Sequence, residues 1–121
     1  MEVEQNFETE LLKIIEKDPR YAMDAYVFVR YALDYTTRTL GIKGHVTGQE
    51  LLEGIRQFAL EKFGPMARFM LREWGVETCE DFGRIVFNMV DNHLLGKTEQ
   101  DSIEDFKNGY DFYDAFEKPY Q

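Results

Sequence analysis

Gly64-Pro65-Met66-Ala67-Arg68-Phe69-Met70-Leu71-Arg72-Glu73-Trp74-Gly75-Val76-Glu77-Thr78 is a short amphipathic run held between helix breakers. Met66, Phe69, Met70 and Trp74 recur at three- and four-residue steps, the spacing of one helical face. Gly64-Pro65 ends the preceding helix and starts this one, and Gly75 stops it. Thr78 with Asp81 opens the next helix, whose buried face is Phe82, Ile85, Val86, Met89 and Val90, and which extends towards Leu95. A short helix, a tight turn, a longer helix and an apolar exit at Leu94-Leu95-Gly96-Lys97 have the form of a winged helix-turn-helix core. An ordinary helical bundle with one short member fits the same pattern.

The pattern continues on the amino-terminal side. Phe7, Leu11, Ile14 and Ile15 predict a helix over about residues 5–17. Asp18-Pro19 punctuates it and opens a second helix running to about Leu40, with Ala22, Ala25, Tyr26, Val29, Ala32, Leu33 and Thr36 as its stripe. Tyr21, Phe28 and Tyr35 recur every seven residues beside that stripe, so neighbours touch this helix on more than one side. Gly41 stops it, and residues 41–46 form a loop. Thr47-Gly48-Gln49-Glu50 is a capping box that starts a third helix carrying Leu51, Ile55, Phe58, Ala59 and Phe63. The fold class is therefore mostly α, with about five helices. After Gly96 the chain turns polar and acidic, and Asn108-Gly109 is a turn signal flanked by aromatics. That segment reads as a short β-hairpin or as an irregular aromatic tail.

The 121 residues are of single-domain length, so residues 1–121 read as one domain. The first four residues show no leader, and no run is apolar enough for a membrane span, which makes the cytoplasm the expected location. Cys79 is the only cysteine, so no intrachain disulfide can form.

With 14 basic and 23 acidic residues the formal charge is −9, which repels phosphate backbones and anionic membranes. On the helix that would read DNA, the outward positions are Glu77, Glu80, Asp81, Arg84, Asn88 and Asp91, four of them acidic. Their sign opposes the phosphate attraction that dominates nucleic-acid affinity, and disfavours a winged-helix regulator.

Chemistry-bearing clusters are sparse. His45 and His93 have no second histidine at metal-ligand spacing and Cys79 has no thiol partner, so neither metal nor cofactor is expected. Asp101, Glu104, Asp105, Asp111 and Asp114 lack the alternation and central glycine of a calcium loop. A cleft near His45 using Tyr26, Tyr31 and Arg56 is the enzyme or small-ligand alternative. Binding is favoured over catalysis. The candidate patch is Trp74, Phe106, Tyr110, Phe112, Tyr113 and Phe116, rimmed by carboxylates, for a protein partner or self-association. The competing reading is that these aromatics clamp the tail onto the core.

Several segments also resemble a bacterial family of uncharacterised proteins, reported mainly from planctomycetes and verrucomicrobia. They are Asp18-Pro19-Arg20-Tyr21, Asp24 through Val29, Gly48 through Arg56, and Phe63-Gly64-Pro65-Met66-Ala67. Glu80-Asp81-Phe82-Gly83, Leu95-Gly96-Lys97-Thr98 and Gly109-Tyr110-Asp111-Phe112 continue the resemblance along nearly the whole chain. It implies a small single-domain protein whose tail belongs to the fold, and it assigns no functional residue.

Overall fold

A computed structural model describes residues 2–121. Met1, on which the reading of the leader begins, lies outside the described residues. The chain is mostly α: α1 is Glu2–Lys17, α2 Met23–Thr39, α3 Gly48–Phe63, α4 Ala67–Glu73 and α5 Cys79–Asp91. A 3₁₀ turn, Gly64–Met66, joins α3 to α4, with Pro65 in its first positions. Both capping boxes form: Thr47 Oγ1 accepts from the Glu50 amide at 3.1 Å, and Thr78 Oγ1 from the Asp81 amide at 3.3 Å.

Three helices end in the same way. After α2 the Ile42 amide donates to Thr37 O, after α4 the Val76 amide to Leu71 O, and after α5 the Leu94 amide to Met89 O. Each bond spans a residue with positive φ: Gly41 at 65°, Gly75 at 88° and His93 at 63°. This is the Schellman closure, which satisfies carbonyls that would otherwise be left without donors. It stops α5 at Asp91, short of the predicted Leu95, because a histidine takes the left-handed position that glycine holds elsewhere.

The start of α2 also departs from expectation. Asp18 does not cap a helix beginning at Pro19. Its carboxylate accepts from the Arg20 side chain at 2.8 and 2.7 Å and from the Arg20 amide, holding residues 18–21 in a corner. The α4–α5 turn seats against that corner, where the Ala22 amide donates to Trp74 O at 3.1 Å. Gly75 lies against the Arg20 carbonyl there, leaving no room for a Cβ.

One core joins the helices. α2 and α3 pack along their length, and α5 is covered by α1, α2, α3 and the 3₁₀ turn Ile103–Phe106. The α5 residues Phe82, Gly83, Ile85, Val86 and Met89 are buried, as are Tyr26, Val29 and Ala32 of α2 and Ile55 and Ala59 of α3. Two aromatic clusters fill the ends. Phe28 packs with Phe58, Phe63 and Trp74, and Phe112 packs with Phe82, Tyr110 and Phe116.

Among the described residues there is no strand, so neither a wing nor a hairpin forms. Leu94 and Leu95 pack half-buried on the core instead of pairing with another segment. The Asn108-Gly109 turn does exist, with Asn108 at a φ of 57°. Its flanks are tied to different helices: Tyr110 Oη donates to Leu52 O of α3 at 2.8 Å, and the Cys79 thiol of α5 donates to Tyr110 O at 3.4 Å. The tail is thus irregular, closing in a π-helical turn, Tyr113–Glu117, and a 3₁₀ turn, Lys118–Tyr120.

Candidate functional site

Most of the predicted aromatic patch lies inside the molecule. Phe106, Phe112 and Phe116 are buried, and each contributes about 1.5–3 kcal/mol of transfer free energy to the core. Tyr110 is largely enclosed, and burial drives its phenol well above the ordinary range. Trp74 is half-buried against Phe28 and Phe63. These residues hold the fold rather than forming an exposed patch, because helix glycines leave room for the tail. A Cβ on Gly83 would sit 2.8 Å from Phe106 Cβ, and one on Gly48 would sit 3.1 Å from Phe106 Cε1. Of the six, Tyr113 is the exposed member, at 43%.

A different apolar face stands beside it. Met66 and Phe69, on the Gly64–Met66 turn and α4, are 52% and 50% exposed, and Tyr120 of the tail is 47% exposed. The tail packs against this turn and α4, with Arg68 bridging to Glu117 at 3.5 Å and lying over the Phe112 ring. Met66 and Phe69 are legible as apolar positions on one face of a short helix, and the structure leaves that face about half exposed at both. The helix is only Ala67–Glu73, and Ala67 and Leu71 occupy its buried side.

The outer face of α5 is occupied from within. Asp81 accepts from Tyr21 Oη, from the Glu77 amide at 2.8 Å and from Arg84 at 2.8 Å. Asn88 donates to Asp18 and to Tyr26 Oη, both at 3.0 Å. Of the six polar positions that a recognition helix would offer to a nucleic acid, Asp81 and Asn88 bind the α1–α2 corner and Arg84 pairs with Asp81, whereas Glu77, Glu80 and Asp91 are exposed. Burial raises the carboxyl of Asp81, but hydrogen bonds from Tyr21, Glu77 and Thr78 outweigh it and leave it lowered.

Burial pushes the Cys79 thiol from 9.0 to about 11 and, aided by the bond to Asp81, the Tyr21 phenol from 10.0 to about 12. A thiol so enclosed is a poor nucleophile at neutral pH. Both groups are held protonated in the folded state, so their contribution is complete below pH 9 and is lost as pH rises towards 11–12. Urea midpoints measured from pH 8 to 10.5 are expected to fall. In Cys79→Ala the fall should be shallower by on the order of 2 kcal/mol. Equal slopes in both proteins would mean that the thiol does not titrate differently on unfolding.

At the opposite end of α3 a hollow of about 110 Å³ opens beside His45, where the α2–α3 loop, α5 and residues 95–106 converge. His45 Nε2 meets Asp101 at 2.9 and 2.8 Å, joining that loop to the acidic segment at the mouth of the hollow. The predicted partners of His45 are elsewhere. Tyr26 is buried on Asn88, Arg56 pairs with Glu53 at 2.6 Å, and Tyr31 lines a separate shallow groove with Asp34, Arg38 and Lys62. Among the described residues no three His, Cys, Asp or Glu side chains gather as metal ligands, and no helix is long and apolar enough to cross a membrane.

Comparison of this chain with protein-family models, with curated proteins and with solved structures gives no match.

Proposed function

We propose that the protein is a small interaction module, non-enzymatic, whose binding face is the α4–tail end of the molecule. The observation that carries this reading is the exposure, by about half, of Met66, Phe69, Tyr113 and Tyr120 where the Gly64–Met66 turn and α4 pack against the tail. Aromatic and methionine side chains are enriched at the centres of protein interfaces, and large apolar groups grouped in this way lose unfavourable hydration when covered. The partner is a protein, either another copy of this chain or a different one. The internal commitments of Asp81, Arg84 and Asn88 support this reading over nucleic-acid recognition.

Phe69→Asp tests it, since the side chain is half-exposed and its loss leaves the core intact. Light scattering of the wild-type chain is expected to give a mass above the 14.3 kDa of one copy, or extracts of the native host to give one stoichiometric complex. The variant should lose that association while melting within about 3 °C of wild type. A wild-type chain that stays at one copy and brings down the same proteins as Phe69→Asp would refute the assignment.

A further inference from the structure

We infer that the hollow beside His45 is a binding site for a small primary amine with a short branched aliphatic body, independent of the α4–tail face. Its wall is apolar, formed by Leu33, Val46, Leu51, Val86, Val90 and Leu95 from five parts of the chain. Apolar cavities of about 150 Å³ take benzene, so the roughly 110 Å³ here suits a body of about four or five carbons. Such a group gains from burial without any hydrogen bond in the interior.

The mouth sets the sign of the head group. Asp101 and Asp105 line it and are partly buried, whereas Lys97 and His45 are exposed to solvent. Asp101 is already committed to His45 and to the Thr98 amide at 2.8 Å. Asp105 uses Oδ2 to accept from the Ser102 amide at 3.1 Å, and its Oδ1 has no donor among the described residues. Asp105 also pairs with no cation among the described residues. A free acceptor at the edge of an apolar hollow, in a chain of formal charge −9, selects an ammonium over a carboxylate.

The test is a titration of the full chain with isoamylamine, isoamyl alcohol and isovalerate, followed by methyl NMR of Val46, Leu51, Val86 and Val90. The amine is expected to shift these methyls with a Kd of about a millimolar, and to bind about tenfold more tightly than the alcohol. Isovalerate should bind weakest. Asp105→Asn retains an acceptor for the Ser102 amide, so it should bring the amine to the affinity of the alcohol and leave the alcohol unchanged. Val90→Phe should abolish binding of all three. Equal binding of amine and alcohol, a preference for isovalerate, or an Asp105→Asn protein that keeps its amine preference would overturn the head-group assignment. No methyl shift from any ligand at 50-fold above the expected Kd would overturn the site.

Discussion

Gly54→Ala is expected to cost about 3 kcal/mol, although alanine is the better helix former. The two antiparallel helices α2 and α3 touch where Gly54 faces Thr36. A Cβ at position 54 would sit 2.6 Å from Thr36 Cβ and 2.8 Å from Thr36 Cγ2, and would overlap Thr36 Oγ1. Thr36 cannot swing away. It is fully buried, β-branched, and its hydroxyl donates to Ala32 O at 2.7 Å. The helices must therefore separate along a contact that also carries Phe28 on Phe58 and Tyr35 on Phe58. At an exposed helical site the same substitution gains up to about 1 kcal/mol, so even the sign is diagnostic. Urea denaturation of Gly54→Ala, Thr36→Gly and the double variant measures it. The pair should show a favourable coupling of at least about 1 kcal/mol, since each small residue can take the place of the other. A neutral or stabilising Gly54→Ala would mean that the crossing is looser than described.

Phe116→Ala should be still more damaging, at about 3–5 kcal/mol against the 5–15 kcal/mol typical of a whole domain. Phe116 is fully buried, and its ring meets Phe112 edge-on at 5.0 Å and Tyr110 edge-on at 5.8 Å. Removing it opens a cavity beneath the π-helical turn and loosens the anchor of the tail. Tyr113→Ala, three residues away and 43% exposed, is the control, with an expected effect within about 0.5 kcal/mol. Its phenol donates only to Gln121 Oε1. Circular dichroism during denaturation separates the two outcomes. If Phe116→Ala were as mild as Tyr113→Ala, the tail would be an appendage to the helices rather than part of their core.

What could be read from the residues follows from what is local. Thr47 with Glu50 and Thr78 with Asp81 announce their helices because a capping box is complete within four residues. Gly41 and Gly75 mark ends correctly because glycine is the usual occupant of the left-handed closing position. The end of α5 falls short of the expected Leu95 because His93 fills that position, and nothing nearby distinguishes it from a helical histidine. The corner at Asp18 is hidden in the sequence for a related reason. Its partners Arg20 and Asn88 lie 2 and 70 residues away, and the second cannot be seen from spacing.

The candidate site was less legible. The aromatic density of residues 106–120 is plain, but the inward seat of Phe106 depends on Gly48 and Gly83 making room. Those glycines look like turn residues or weak helix positions until the tail is laid across them. The apolar spacing of Met66, Phe69, Met70 and Trp74 does not say which way that face turns, because a helix so short offers too few turns to define its buried side. His45 drew attention as a loop histidine, yet its partner Asp101 is 56 residues distant.

The clefts left by those glycines bear on how the molecule is made. On the ribosome, α3 and α5 emerge before residues 106–116, with Phe82 and Cys79 uncovered and the spaces at Gly48 and Gly83 open to water. Helices already formed in the nascent chain must wait for a partner still inside the exit tunnel. Completion of the core therefore waits on the synthesis of residues 106–116, and a chain cut short upstream of Phe106 leaves that aromatic surface wet and prone to aggregate.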